Sequence, residues 1–505
     1  MYSILSDWLL ENLDTSADEP AYRQLYRLLQ QAILSGRLAT GTQLPSSRAL
    51  SADLSIARNT VIQVYEQLLA EGYVETQSGS GTYVADTQPD RVEVGPEGAP
   101  RRAVRDRHRL SARGKRTIEL SGVSKLQWGA FMPGVPDVTE FPLKSWNRLQ
   151  SRIWRNPQPE LMTYAPGGGY RPLRRALADY LRVARLANCQ PEQIIITTGI
   201  HQSVDLAVRL LCDVGDHVWI EEPCYWGLRG ILQSSGLKLT PIPVDAEGIR
   251  PEARHLARPP RLIICTPSHQ YPLGMVMSLA RRRMLLEYAR QHNCWIIEDD
   301  YDSEFRFGIR PLASLQGLDT NGQVIYLSSF SKTLFPGMRV GYMAVPAPLA
   351  DLFSQGLAEL YREGQLMQQA VLAEFIDEGY LSSHIRRMRG LYAERRSLLI
   401  AAINRRFGQA LPVMGDEAGL HLVLGLPHLR DDWAVCRAAM ERGIVARPLS
   451  AYYSLARSAQ AGLLLGYGCV PDERIGPAFD LLADAVEKVG AVAPTPTPAP
   501  RRKRG

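Results

Sequence analysis

The sequence predicts an α/β protein in two unequal parts: a small helical domain closed by a β-hairpin, then a large domain built on a mainly parallel sheet. Three observations support this. The 505 residues exceed what one hydrophobic core serves, so at least two domains are expected. Residues 1–85 carry amphipathic helical stripes and end in a Gly-rich hairpin signal, GSGTYV. From about Thr117 to Gly490, short β-branched runs alternate with longer helical patterns, as in a sheet covered by helices on both faces.

Composition narrows the class. Hydrophobic residues make up 45% of the chain, enough for packed cores and against global disorder. A net charge of +6 permits nucleic-acid binding without arguing for it. Seven cysteines without a CxxC pair argue against a disulfide framework or a zinc site and fit a reducing cytoplasm. The opening MYSILSDWLLENLD has no basic n-region, and its apolar run is too short for a signal peptide. No run nears the roughly 18 apolar residues of a membrane span. There is no internal repeat, and the expected location is cytoplasmic.

In the first part, Ala21–Ser35 places Leu25, Leu28, Leu29, Ala32 and Ile33 on one helical stripe, which Gly36 ends. Ser46 or Ser47 can cap a short helix around Ala49–Leu54. After a brief turn, Arg58-Asn59-Thr60 opens a second helix with Val61, Val64, Tyr65, Leu68 and Leu69 toward a core. Tyr73–Thr76 and Thr82–Val84 are two short strands around Gly79 and Gly81. Helix, helix, turn, helix, hairpin is a winged helix-turn-helix. The second helix of such a pair lies in the major groove and reads bases with its N-terminal residues. Arg58 suits guanine and Asn59 adenine. Thr60, Ser47 and Arg48 suit phosphates. The stretch LPSSRALSADLSIARNTVIQVYEQLLAEGYV…GSGTYV resembles the DNA-binding domain of the GntR family of bacterial repressors and activators, over roughly residues 18–85. The resemblance implies double-stranded DNA as partner, with Arg48, Arg58, Asn59, Thr60 and the wing Gly79 as contacts.

Residues 86–116, poor in large apolar side chains and rich in Pro, Gly and Arg, read as a solvated basic linker. Residues 491–505 read as a disordered basic tail.

The large part, residues 117–490, contains a lone lysine between hydroxyl residues in SSFSKTLFPGMRVGY, just past the apolar run Val324–Leu327. A buried lysine with a depressed pKa forms a Schiff base with an aldehyde. Pyridoxal 5'-phosphate further needs an anion site, an acidic partner for its ring nitrogen and an aromatic face. Each is offered at the end of a predicted strand, where ligands bind in open α/β sheets. Gly199, Ile200 and His201 open a helix whose free N–H groups attract an anion. Ser329 and Arg339 flank Lys332. Asp299 follows the strand Trp295–Ile297 and can hold the pyridine nitrogen protonated, Tyr301 can reach the ring hydroxyl, and Tyr225 can stack on the ring.

These segments in order (TTGIHQ, EEPCYWG, TPSHQYPLG, EDDYD and SFSK…PGMRVG) resemble fold-type I, class I aminotransferases over about residues 118–490. The resemblance implies a PLP-binding domain with large and small subdomains. It makes Lys332 the internal-aldimine lysine, Ser329 and Arg339 phosphate ligands, Asp299 the pyridinium partner and Tyr225 the stacking ring. Two positions depart from the pattern. Tyr271 stands where the family has an Asn on the ring hydroxyl, and Leu464 where an Arg grips the substrate carboxylate. Arg229 or Arg447 are the candidate substitutes, unless the ligand lacks an ordinary carboxylate.

Together the halves resemble the MocR subfamily of GntR-type regulators. That implies a PLP-dependent transcription regulator, a homodimer that is often head-to-tail, and PLP itself or an amine or amino acid as signal. The rival reading is a working aminotransferase with an accessory DNA-binding domain. A third is a DNA-binding protein whose large domain only dimerises. No metal site is expected.

Overall fold

A computed structural model describes residues 2–14, 19–77, 81–86, 110–119, 126–307, 313–362 and 364–491. The wing residue Gly79, the linker residues 87–109 and the tail residues 492–505 lie outside the described residues. Two compact units divide the chain, Met1–Arg109 and Leu110–Gly505.

The first unit contains helices α1 (Tyr2–Asn12), α2 (Ala21–Leu34), α3 (Ser47–Asp53) and α4 (Arg58–Ala70), then strands β1 (Val74–Gln77) and β2 (Gly81–Val84). Its core joins Leu5 and Leu9 of α1 to Leu25, Leu29, Val61, Val64 and Leu68. Each such buried side chain contributes about 1.5–3 kcal/mol of transfer free energy. Leu69, expected inside, is 41% exposed. Val61, Val64 and Leu68 already complete one stripe of α4, and Leu69 falls about 100° around the helix from Leu68. α1 has no counterpart in the sequence reading. Ser46 is the cap of α3, its hydroxyl accepting from the Ala49 N–H at 3.1 Å. Between α3 and α4 the chain turns through Ser55 at φ 54°. β1 and β2 pair antiparallel, Val74 opposite Val84, and the Leu44 N–H donating to the Thr82 carbonyl at 2.8 Å buttresses them.

The second unit opens with a helix at Ala112–Glu119, so the end of the presumed linker is helical. Its main sheet contains β3 (Ile194–Thr197), β4 (His217–Glu222), β5 (Lys238–Asp245), β6 (Gly248–Ile249), β7 (Leu262–Cys265), β8 (Trp295–Asp299), β9 (Val324–Ser329) and β10 (Gly341–Ala344), in the order β3-β10-β9-β8-β7-β4-β5-β6. The pairs β5/β4, β4/β7, β7/β8 and β8/β9 are parallel. β10 runs antiparallel to both β3 and β9. Strands covered on both faces read as continuous apolar runs, as Leu262–Cys265 does. β3, β4, β7, β8 and β9 therefore deliver their carboxyl ends to one edge of the sheet. A second antiparallel sheet, β11 (Val413–Met414), β12 (His421–Gly425), β14 (Gly462–Gly466) and β13 (Arg447–Pro448), packs with helices Tyr380–Phe407 and Asp472–Ala491 in a separate core. Among the described residues, no helix is long and apolar enough to cross a membrane.

Candidate cofactor site and nucleic-acid interface

At the sheet edge lies a cavity of about 410 Å³. Gly199, Ile200, His201, Tyr225, Asp299, Tyr301, Ser329, Lys332 and Arg339 all line it, so the structure brings together every cofactor residue expected from sequence. β9 ends at Ser329, and a single helical turn, Phe330–Thr333, presents Lys332. The ammonium donates to the Gly134 carbonyl at 2.6 Å. Burial lowers its pKa, against the pull of Asp302 and Asp299. Gly134 is at φ +71°, and a Cβ there would stand 2.9 Å from Lys332 Nζ, so a side chain would crowd the amine.

β3 leads into the helix Ile200–Leu211 through Gly199. A Cβ on Gly199 would lie 3.4 Å from Arg339 Nη2, which puts a guanidinium beside free helical N–H groups. That is an anion site twice over. Arg339 and Arg447, both lining the cavity, make no ion pair among the described residues.

The four acids of the EDDYD segment divide their roles. Glu298 accepts from the Leu315 and Gln316 N–H groups at 2.8 and 2.9 Å. Asp300 pairs with buried Arg185 at 2.6 Å and accepts from Tyr326 at 2.6 Å. Asp302 meets His269 at 3.0 Å. Asp299 lines the cavity, and its Oδ1 is buried without a hydrogen-bond partner. Burial, then Asp300 and Glu221, push its pKa up to about 7. A buried carboxylate lacking a donor is costly. A protonated pyridine nitrogen supplies that donor, so the site fits pyridoxal phosphate.

Tyr225 caps the helix Trp226–Ser234, and its hydroxyl is 3.1 Å from His201 Nε2. The Tyr301 hydroxyl lies 2.8 Å from His269 Nδ1, a partner that the sequence reading did not see. Tyr271 replaces the family Asn with a phenol 3.3 Å from the Tyr452 hydroxyl. Leu464 is fully buried in β14 against Leu273, Val423 and Leu449, so that position offers no cation. Arg229 is not available either: it donates to the Ala451 carbonyl at 2.9 Å and the Ser454 hydroxyl at 3.2 Å. Glu222 accepts from the Ser454 and Leu455 N–H groups at 2.8 Å each. Segment 451–455, which carries the cavity residue Tyr452, is thus fastened to the end of β4. Sequence reasoning missed Gln127, Trp226, Ser331 and Tyr452. It also missed Met132–Val135, whose only signal was the Pro133-Gly134 pair.

In the first unit, Arg58 and Asn59 begin α4 and are exposed, as is Arg48. Arg58 Nε donates to the Ser47 hydroxyl at 3.4 Å, which joins the start of α4 to the start of α3. Thr60 is half-buried beside them.

Residues 21–84 match the gntR family of bacterial regulatory proteins, and residues 135–461 match the class I and II aminotransferases. The probable rhizopine catabolism regulatory protein MocR of Rhizobium meliloti is 41% identical over 488 residues, 95% of this chain and 97% of that one. The HTH-type pyridoxine biosynthesis transcriptional regulator PdxR of Corynebacterium glutamicum is 31% identical over 92% of this chain and 95% of that one. Kynurenine aminotransferase of Pyrococcus horikoshii superposes with a TM-score of 0.66 at 25% identity, covering 76% of this chain and 95% of that one. The chain therefore belongs to the MocR-like bacterial transcription regulators, in which a GntR-type DNA-binding domain is joined to a PLP-binding, fold-type I aminotransferase domain.

Proposed function

We propose that the large unit senses PLP, or a carboxylate-bearing amine captured on it, through Lys332, and that this occupancy sets how the winged helix engages its operator. One observation carries the reading: the cavity holds two guanidiniums without described acidic partners, Arg339 and Arg447. Arg339 would hold the cofactor phosphate, at the helix opened by Gly199, Ile200 and His201, with Ser329 lining the same cavity. The other is then free for an effector carboxylate, the role Leu464 cannot fill.

When bound, pyridoxal phosphate supplies an aldehyde that captures amines and a ring that withdraws electrons. The chain's own groups do the rest. Asp299 would hold the ring nitrogen, Tyr225 would stack on the ring and Tyr301 would address the ring oxygen, and the lowered pKa of Lys332 makes its neutral amine accessible. Tyr452 touches the same cavity from the segment fastened by Glu222 and Arg229, so ligand contacts there bias the position of the second sheet. A ligand shifts such an equilibrium only by its differential affinity for the two states.

On the DNA side we assign base contacts to Arg58 and Asn59 and phosphate contacts to Ser47, Arg48, Thr60 and the wing at Gly79. A cytoplasmic homodimer, head-to-tail by family resemblance, places two winged helices on two half-sites.

The test is an absorbance spectrum before and after borohydride, on wild type and Lys332→Ala, with amines and amino acids titrated while DNA binding is followed. A visible band that borohydride traps and the variant loses, together with a ligand response lost in Arg447→Ala, supports the sensor. DNA binding and ligand response that survive Lys332→Ala unchanged reduce the large unit to a dimerisation scaffold. Turnover at ordinary enzyme rates on any amino donor restores the aminotransferase reading.

A further inference from the structure

We propose that His269, held by Asp302, fixes the Tyr301 hydroxyl as a hydrogen-bond donor into the cofactor cavity, making His269 a positioning residue for the cofactor's ring oxygen. The inference rests on the cofactor placement above and adds to it the direction of one proton.

His269 follows β7 and is 1% exposed. Its Nδ1 lies 3.0 and 3.2 Å from the two oxygens of Asp302 and 2.8 Å from the Tyr301 hydroxyl. One ring nitrogen thus meets a carboxylate and a phenol at once. The carboxylate only accepts, so Nδ1 carries the proton. The other tautomer would aim a lone pair at a carboxylate in a dry site, where like-sign contacts are costly. The phenol oxygen then takes the second arm of a three-centre bond, as acceptor.

Tyr301 therefore keeps its own proton to give elsewhere. The proton stays on the oxygen because burial, then Asp302, Tyr271, Asp299 and Glu221, push the phenol well above its ordinary value. The ring is held by Tyr271, edge-on at 5.4 Å, and by His269, near-parallel at 5.8 Å. His421, 5.4 Å from His269, has its Nε2 3.0 Å from the Pro272 carbonyl, so that nitrogen does not compete for His269 Nδ1. Of the other cavity phenols, Tyr225 faces His201, and Tyr271 and Tyr452 share one hydrogen bond, which uses one of their two protons. Tyr301 lines the cavity with Asp299 and Lys332. With Nδ1 donating to its oxygen, the Tyr301 proton has no acceptor among the described residues.

Two readouts test this. In cofactor-free protein carrying nitrogen-15 histidine, with His269→Asn used to assign the resonance, Nδ1 is expected to be protonated and Nε2 bare. A protonated Nε2 with a bare Nδ1 overturns the proposal whatever the cofactor does. With pyridoxal phosphate bound, the pH midpoint of the visible band is then compared across variants. Losing a donor to the ring oxygen disfavours the deprotonated chromophore. Tyr301→Phe and His269→Phe should each raise the midpoint by about one pH unit, and the double variant should add little more. His269→Asn, which keeps an N–H, should stay near wild type. A wild-type midpoint in His269→Phe, or fully additive shifts in the double variant, refutes the coupling. Wild-type protein that shows no visible band refutes the cofactor placement, and the nitrogen spectrum alone then decides the tautomer.

Discussion

Replacing Asp299 by Asn should move stability and cofactor affinity in opposite directions. In the cofactor-free protein the Asp299 carboxyl is raised from 3.8 to about 7, first by burial and then by Asp300 and Glu221. The folded state therefore binds more protons than the unfolded state between these values, and stability falls as pH rises through that window. At 1.36 kcal/mol per pH unit, holding the charge above pH 7 costs about 4 kcal/mol in a dry cavity, and less where water fills it. Asn resembles the neutral acid in shape and carries no charge. Cofactor-free Asp299→Asn should match wild type near pH 4 and exceed it at pH 8 by about 2–4 kcal/mol in urea unfolding. The same variant loses the charge-assisted bond to the ring nitrogen, worth about 1.5–3 kcal/mol, so its affinity for pyridoxal phosphate should fall by about 10- to 150-fold. Urea curves at the two pH values and a spectroscopic cofactor titration measure both. A variant less stable than wild type at pH 8, or one with undiminished cofactor affinity, would show that Asp299 is a structural acid like Asp300 and would refute the reasoning.

Arg58→Ala should weaken operator binding by about 1–3 kcal/mol and relax preference at one base pair, whereas Arg48→Ala should weaken all sequences alike and flatten the salt dependence; equal effects on cognate and random DNA in a binding assay would remove Arg58 from base readout. Glu222→Ala removes the single oxygen that accepts from both the Ser454 and the Leu455 N–H groups. Limited proteolysis should then cut sooner within segment 451–458, and cofactor uptake should survive because Glu222 does not line the cavity. Unchanged cleavage would show that Arg229 alone holds the segment.

The local architecture was readable from the chain because local rules govern it. The apolar stripe of α2, the serine cap of α3, the start of α4 at Arg58 and the buried strands before Tyr225, Asp299 and Ser329 all follow from periodicity and turn chemistry within a few residues. Strand ends in an open parallel sheet converge on one edge, so the residues just past them could be gathered into a site before any coordinates were known. What the tertiary structure decided was pairing between residues far apart in sequence. Nothing local says that Asp300 is bound to Arg185, 115 positions away, while Asp299 next to it faces a cavity without a partner. Nor does it say that Arg229 is bound to segment 451–454 and Arg447 is not, or that Leu464 packs into a core. His269 and Asp302 escaped notice for the same reason. A buried polar group is defined by its hydrogen-bond partners, and only the folded chain brings those within 3 Å.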